Sequence, residues 1–160
     1  DFGALVVREI AARDDQRLVV QHMNALDLKY ADRSFDAVFS CGSIEHFGSL
    51  ENVARAAAEI GRVLKPGGVL SLSTEYRLSG PEGIGIPGVI LFTSAMLDEY
   101  IVKPSGLVPV DDFEADASDA SPYAYPLAEA TQGKIRARSI CLSDSGYVWT
   151  SVAMCLRKPD

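Results

Sequence analysis

The sequence lacks the features of a membrane-spanning, disulfide-linked or zinc-binding protein. It contains no run of about 18 apolar residues, so we predict no membrane span and no membrane partner. Cysteine is scarce, and Cys41, Cys141 and Cys155 form no C-x-x-C pair. This pattern predicts no metal site and favours a reducing compartment over a disulfide framework. We therefore expect a cytoplasmic protein.

Basic residues are also few in comparison with acidic ones. The 15 Lys and Arg residues are outnumbered by 22 Asp and Glu, which gives a formal net charge of −7 and a pI near 4.8. Proteins that bind nucleic acids cluster Lys and Arg on one face, so this balance argues against a nucleic-acid partner. At 160 residues the chain is large enough for one domain, residues 1–160, with its own core.

One stretch, from Phe35 to Glu75, organises the rest of the chain. Asp36 to Cys41 is short and mostly apolar, which is typical of a buried strand. An amphipathic helix is predicted next, because apolar residues recur at spacings of three and four, namely Leu50, Val53, Ala57, Ile60 and Leu64. Ser49 is a suitable N-cap, and Pro66-Gly67-Gly68 ends the helix before a second strand, Val69 to Thr74.

This order predicts a right-handed βαβ unit with two parallel strands. Ligands bind at the carboxyl ends of the strands in such sheets. Here those ends are Ser40-Cys41-Gly42 and Thr74-Glu75-Tyr76. Glu75 and Tyr76 therefore fall where an acceptor could lie.

The flanking regions predict further elements. We expect helices over 4–13 and from Thr93 or Ser94 to about 103, and strands over 18–23, 107–110 and 147–156. His22 falls in the first of these strands and is interpreted as structural. Residues 111–134 are expected to form an acidic, irregular insertion or a cap over the substrate.

Residues 83–88 match the G-x-G-x-x-G fingerprint of dinucleotide-binding proteins. We reject that interpretation, because the fingerprint works only directly between a strand and a helix. A flexible loop that closes over the acceptor is the prediction we keep for this segment.

The stretch N-A-L-D-L-K-Y-A-D-R-S-F-D-A-V-F-S-C-G-S-I-E-H-F, followed by R-V-L-K-P-G-G-V-L, resembles a known family. It is similar to class I S-adenosylmethionine-dependent methyltransferases of the small-molecule type 11 group. The resemblance implies an α/β, Rossmann-like doubly wound fold with a mostly parallel sheet and an antiparallel C-terminal strand. The family's acidic-x-G-x-G-x-G loop is missing, so we expect the N-terminal βαβ portion to lie outside the chain.

The resemblance also implies a cofactor, S-adenosylmethionine, and the residues that bind it. Asp1 would accept hydrogen bonds from the ribose hydroxyls. Asn24 would accept a hydrogen bond from the adenine amine, Ala25 would offer its backbone N–H to the ring, and Leu26 would pack against it. The methionyl end would lie along Ser40, Cys41 and Gly42.

His46 is the candidate catalytic residue, since it matches the histidine of the family's E-H pair. It would act as a base toward the acceptor, or it would have a structural role only. Two other assignments have plain alternatives: Asn24 as an ordinary turn residue, and Cys41 as a nucleophile rather than a small residue lining the pocket.

The predicted function is direct in-line methyl transfer from S-adenosylmethionine to a small-molecule or sugar-like acceptor. One alternative is a catalytically silent α/β module that binds a partner. An α/β dehydrogenase is a third possibility, which the misplaced glycine fingerprint weakens. The sequence leaves the acceptor and the oligomeric state open.

Overall fold

The computed structural model describes residues 19–111, 124–132 and 141–160. These residues form a mixed sheet, a small two-stranded sheet and several helices. The strands and helices follow in the order β1 (Phe35–Cys41), a 3-10 turn (Ile44–His46), α1 (Leu50–Val63), β2 (Leu64–Ser79), β3 (Gly85–Ile86), β4 (Val89–Ile90), α2 (Ser94–Leu97), a π-helical segment (Asp98–Val102), α3 (Lys103–Ser105), β5 (Val108–Pro109), β6 (Ala124–Pro126), α4 (Leu127–Thr131), β7 (Cys141–Asp144) and β8 (Tyr147–Arg157).

The large sheet has the strand order β1-β2-β8-β7-β6, and β5 also pairs with β8. Strands β1 and β2 are parallel, with Cys41 opposite Ser73, and α1 connects them. Strand β8 runs antiparallel to β2, β5 and β7. The predicted βαβ unit and the antiparallel strand at the end of the chain are therefore confirmed.

Helix α1 begins where its cap predicts. The Ser49 side chain accepts a hydrogen bond from the Asn52 backbone N–H at 3.3 Å. The helix ends at Val63, two residues earlier than expected, and Leu64 already pairs with β1. The Pro-Gly-Gly turn after Leu64 forms an irregularity in the β1–β2 register rather than a separate loop. Lys158, which directly follows β8, donates to the Gly61 and Leu64 carbonyls at 2.6 and 2.7 Å. It thereby supplies hydrogen bonds to carbonyl groups at the end of the helix.

The main core lies between the sheet and the helices. Its fully buried members come from α1, β2, β8 and the helical segments, for example Val53, Leu70, Leu72, Ile101 and Leu156. A smaller apolar cluster of Ile86, Leu91, Tyr147 and Trp149 joins the β3–β4 hairpin to β8. The two clusters place the hairpin against the sheet.

The strand predicted over 18–23 is not formed by its described residues, which have no regular secondary structure. A strand needs a neighbour that satisfies its backbone groups, and none of the described residues pairs with this segment. Val19 is accordingly 74% exposed, and His22 is an exposed residue outside any strand. Asp1 and the helix predicted over 4–13 lie outside the described residues.

The segment predicted to be a flexible loop contains a short hairpin, β3–β4. Pro87 and Gly88 form its turn, and Gly88 has a φ of +82°, which suits the second central residue of a type II turn. The Arg77 guanidinium donates to the Pro81 and Gly83 carbonyls at 3.1 and 2.8 Å and lies over the Tyr147 ring. The glycines of residues 83–88 therefore belong to a packed hairpin and not to a strand-to-helix turn.

The helix predicted after Thr93 is present in three consecutive parts, α2, the π-helical segment and α3. The Thr93 hydroxyl accepts the Met96 N–H at 3.3 Å, as the cap predicts. Within residues 111–134, the described residues 124–132 form β6 and α4 rather than irregular structure. A role for this segment as a cap, and the domain limits, stay predictions.

We predict that Gly61→Ala destabilises the protein, although alanine normally stabilises a helix interior by about 1 kcal/mol over glycine. A Cβ on residue 61 would overlap the backbone carbonyl of Ser105, where α3 crosses α1. Overpacking of this kind costs about 1 to 3 kcal/mol. Denaturant unfolding measures the loss. Ala58→Gly, on the exposed side of the same helix, is the control and should cost only about 1 kcal/mol; a gain in stability for Gly61→Ala would contradict the packing.

Candidate functional site

The carboxyl end of β1 turns sharply, and glycine makes the turn possible. Gly42 has a φ of +54°, a conformation that other residues rarely adopt. Its N–H donates to the Ser73 carbonyl at 3.1 Å, which extends the pairing of β1 with β2 by one residue. The chain then enters the 3-10 turn that carries Glu45 and His46. The turn therefore lies at the edge of the sheet where ligands are expected.

Glu45 anchors this turn to the sheet. It is only 2% exposed, and its Oε2 accepts a hydrogen bond from the Thr74 hydroxyl of β2 at 3.0 Å. A buried carboxylate requires such a partner. The next residue, His46, is exposed. Glu45 is therefore a buried anchor, whereas the imidazole of His46 is accessible.

The His46 ring is oriented by the β3–β4 hairpin. Its Nδ1 lies 2.8 Å from the Gly88 carbonyl oxygen. A carbonyl oxygen can only accept, so Nδ1 must carry a proton. In the neutral ring Nε2 then has the free lone pair. The arrangement leaves a proton acceptor beside the carboxyl ends of β1 and β2.

Ser40 and Cys41 make only neutral contacts among the described residues. The hydroxyls of Ser40 and Ser43 lie 3.1 Å apart, and the Ser73 hydroxyl donates to the Cys41 sulfur at 3.3 Å. Cys41 is exposed. No cationic partner of the thiol is present in these described contacts, which supports the interpretation as a pocket-lining residue.

Asn24 begins a tight turn. Its side-chain oxygen accepts the Leu26 N–H at 3.0 Å, and its carbonyl accepts the Asp27 N–H at 3.1 Å. This is the ordinary turn that the alternative interpretation requires. The side-chain oxygen has a second lone pair, with which it can accept a further hydrogen bond. The cofactor-binding roles of Asn24, Ala25 and Leu26 stay predictions.

An ion pair on α1 secures the segment that follows this turn. Arg62 donates to the carbonyls of Leu28 and Tyr30 at 2.9 and 2.8 Å and pairs with Asp32 at 2.7 Å. Glu59 accepts the Leu28 N–H at 2.8 Å and pairs with Arg62. The Arg62 hydrogen bond is the main reason that the pKa of Glu59 falls to about 2. The sequence does not reveal this anchor, because a Glu and an Arg three residues apart on a helix normally indicate only an exposed surface pair.

Glu75 lies within β2 and not in a loop after it. Its Oε1 accepts a hydrogen bond from the Ser151 hydroxyl at 3.0 Å. Its Oε2 is buried. Burial raises the pKa of Glu75, and the charge of Glu45 raises it further, whereas the hydrogen bonds with Ser151 and Trp149 and the charge of His46 lower it. The half-buried carboxyl group is therefore held between β2 and β8, close enough to Glu45 and His46 to feel their charges.

Tyr76 faces the opposite side of β2 from Glu75. Its hydroxyl lies 2.8 Å from the Ser94 hydroxyl, and its ring packs against the main core. Within the described part of the chain, no group of three or more His, Cys, Asp or Glu side chains could hold a metal ion. None of the helices described there is long and apolar enough to cross a membrane.

The residues at the end of β1 are compatible with a bound nucleotide-like cofactor. Gly42 has no side chain above the Glu45 carboxylate, and a Cβ there would lie 3.6 Å from Glu45 Oε1. The backbone of Gly42 is therefore open to close approach. Ser40 and Cys41 add small side chains beside it. No hydrogen bond joins this group to the Asn24 turn within the described residues.

A family model described as a methyltransferase domain matches residues 4–72. The 27-O-demethylrifamycin SV methyltransferase of Amycolatopsis mediterranei is 34% identical over 130 residues, which are 74% of this chain and 44% of that protein. A probable tRNA methyltransferase 9B of Bos taurus is 36% identical over 72 residues, 45% of this chain and 15% of that protein. The chain thus spans less than half the length of these curated relatives.

Solved structures show the same fold. The [4+2]-cyclase SpnF has a TM-score of 0.63 at 20% identity, over 98% of this chain and 60% of the cyclase. Phosphoethanolamine N-methyltransferase 2 of Haemonchus contortus, in complex with S-adenosyl-L-methionine, also has a TM-score of 0.63, at 17% identity over 98% of this chain and 41% of the enzyme. The predicted Rossmann-like α/β class is confirmed.

We predict that the Glu59–Arg62 pair stabilises the fold in a pH-dependent way. The pKa of Glu59 is about 2 in the fold against an ordinary 4.5. The stabilisation is therefore complete above about pH 4.5 and is lost as the pH falls through about 2. Glu59→Gln should lower the melting temperature near neutral pH, and the difference from the parent should shrink toward pH 2.

Thermal melts across this pH range measure the effect. Glu82→Gln, which neutralises an exposed carboxylate in the hairpin region, is the matched control and should show no such pH-dependent difference. A Glu59→Gln deficit that stays constant down to pH 2 would mean that the carboxylate charge is not the stabilising feature.

Proposed function

We propose that this chain is part of a class I S-adenosylmethionine-dependent methyltransferase, and that the protein methylates a small-molecule or sugar-like acceptor by direct in-line transfer. The observation that carries the proposal is the hydrogen bond between His46 Nδ1 and the Gly88 carbonyl. It presents Nε2 as a base beside the strand ends that bind ligands in this fold.

Three groups of residues would hold the cofactor. Ser40, Cys41 and the Gly42 backbone would line its methionyl end, and the turn at Asn24, Ala25 and Leu26 would receive the adenine. When bound, S-adenosylmethionine supplies an electrophilic methyl group on a sulfonium. Asp1, which would contact the ribose, lies outside the described residues. Gly42 supports this assignment because its backbone is accessible.

The protein's own work in the reaction would be orientation, exclusion of water and proton removal. His46 would take the acceptor proton on Nε2, and the Gly88 carbonyl would stabilise the imidazolium that forms, because it already accepts from Nδ1. Glu45 would keep the turn in place through its bond to Thr74. The hairpin thereby contributes to the geometry of the base.

The acceptor class is supported by charge and by the relatives' names. A net charge of −7 is unfavourable for a phosphate-rich acceptor. The rifamycin relative is named for a small-molecule product, but another relative is named as a tRNA methyltransferase.

One observation favours a second candidate, a module that has the fold but transfers no methyl group. A neighbour with the same fold, SpnF, is named as a cyclase. Calorimetric titration of the full-length protein with S-adenosylmethionine, and separately with a nicotinamide cofactor, separates this candidate and a dehydrogenase from the proposed function. Absence of S-adenosylmethionine binding would contradict the methyltransferase proposal.

We predict that His46→Ala lowers the rate of the transfer step by about 10²- to 10⁴-fold for a protonated acceptor, the usual contribution of a general base. Affinity for S-adenosylmethionine should change little. Single-turnover kinetics with both substrates saturating, together with calorimetric titration, measure the two quantities. The variant must also be shown to fold by circular dichroism.

Asn24→Ala is the matched control for this experiment. It should weaken cofactor binding by about 1 kcal/mol, the value of one hydrogen bond, and leave the saturated single-turnover rate nearly unchanged. If His46→Ala turns over close to the parent rate under saturation, the base assignment is wrong and orientation alone carries the reaction.

A further inference from the structure

Arg77 carries a charge that has no part in the proposed reaction. None of the ion pairs formed among the described residues includes it. Its Nη1 instead donates to the carbonyls of Pro81 and Gly83, and the guanidinium carbon lies 5.9 Å from the centroid of the Tyr147 ring. A planar guanidinium can hold two carbonyl groups and rest on an aromatic ring at the same time. The contacts of Arg77 therefore join the chain after β2 to β8.

The chain between β2 and β3 fits closely around the Tyr147 side chain. A Cβ on Gly80 would lie 2.6 Å from a ring atom of Tyr147, and a Cβ on Gly83 would lie 2.8 Å from its hydroxyl. Glycine is the residue that permits such a close approach of the backbone. This segment therefore has a defined path over Tyr147, and the Arg77 side chain holds it there.

The two strands of the β3–β4 hairpin are attached to the sheet in different ways. After β4, the Phe92 N–H donates to the Glu75 carbonyl at 2.9 Å, and the Arg77 N–H donates to the Phe92 carbonyl at 2.8 Å. Before β3, the described hydrogen bonds to the sheet come from two side chains, that of Arg77 and that of Tyr147, whose hydroxyl donates to the Glu82 carbonyl at 3.5 Å. A substitution of Arg77 therefore releases the first strand and leaves the backbone bonds of the second in place.

The turn of this hairpin determines which nitrogen of His46 carries the proton. The Gly88 carbonyl oxygen lies 2.8 Å from His46 Nδ1, and no other hydrogen bond of the ring is present among the described residues. The tautomer of a neutral imidazole is set by the hydrogen bond that one of its nitrogens makes. A movement of the turn by about 1 Å would exceed the length of a hydrogen bond. The tautomer thus depends on how firmly both strands of the hairpin are held.

We propose that Arg77 is a positioning residue, which keeps the Gly88 carbonyl at His46 and thereby holds the imidazole in the tautomer that has its proton on Nδ1. Arg77 fixes the entry to β3, and the hairpin carries that constraint to Gly88. The inference rests on the proposed function only where it assigns Nε2 as the base. The tautomer itself is a property of the protein without cofactor or acceptor.

The test reads the tautomer directly in the full-length protein that contains this chain. Long-range proton–nitrogen correlation NMR shows which ring nitrogen is protonated, at an alkaline pH where the imidazole is neutral. The signals of His46 are assigned by their loss in His46→Gln. His22, which is exposed and outside any strand or helix, serves as the comparison within the same spectrum.

We predict that the parent protein has His46 mainly in the Nδ1-protonated form, and that Arg77→Met lowers the ratio of this tautomer to the other by about two- to tenfold, the equivalent of one hydrogen bond. The single-turnover rate should fall by about tenfold, because the base is less well oriented. Arg77→Lys, which keeps a charged donor, should retain more of the Nδ1 form than Arg77→Met. Arg55→Met makes the same change on the exposed side of α1 and should alter neither quantity.

Other outcomes overturn the proposal. If the parent has no proton on Nδ1, or if Arg77→Met slows the reaction without changing the tautomer, Arg77 has a structural role only. If Arg77→Met fails to fold, Gly83→Ala serves instead, because alanine rarely adopts the φ of +139° at this position and its Cβ would displace the loop from Tyr147. An unchanged tautomer there would contradict the inference. A parent that has the expected tautomer but does not bind S-adenosylmethionine would contradict the proposed function and support the positioning role.

Discussion

The parallel pairing of β1 and β2 beneath α1 is the constraint on which the site depends. Burial of one face of α1 against the sheet places both strands in parallel, and their carboxyl ends therefore meet at one edge. The Ser49 side chain accepts a backbone N–H at the start of the helix, and Lys158 donates to a backbone carbonyl at its end. Apolar core side chains cannot make these hydrogen bonds. Gly42, Glu45 and Glu75 all take their positions from this register.

The site joins groups that lie far apart in the sequence. His46 is oriented by a carbonyl of the β3–β4 hairpin 42 residues later, and Glu75 is oriented by Ser151 of β8 76 residues later. The hairpin is in turn packed against Tyr147 and Trp149. Strand β8 thus supports both groups, since it carries Ser151 and also packs against the hairpin that orients His46.

Three ionisable side chains, His46, Glu45 and Glu75, characterise the site. The Nδ1–H of His46 donates to the Gly88 carbonyl, so Nε2 is the ring atom that can accept a proton. Glu45 is buried and accepts a hydrogen bond from Thr74, whereas Glu75 is half-buried and accepts one from Ser151. Three ionisable side chains are therefore present together at one edge of the sheet, which is an arrangement that often marks a functional site.

The sequence by itself determined the βαβ unit, the N-cap of its helix and the antiparallel last strand, because periodicity and capping are local properties of the chain, and its motif order carried the resemblance to the methyltransferase family. It placed Gly42, Glu45 and His46 at the end of β1 for the same reason. Only the tertiary structure decided that residues 83–88 enter a packed hairpin, that Gly88 orients His46, and that Glu75 lies half-buried beside Ser151. The strand expected over 18–23 was wrong for its described residues, since strand formation depends on a neighbour and not on propensity alone. Contacts between distant segments depend on register and packing, which no local pattern specifies.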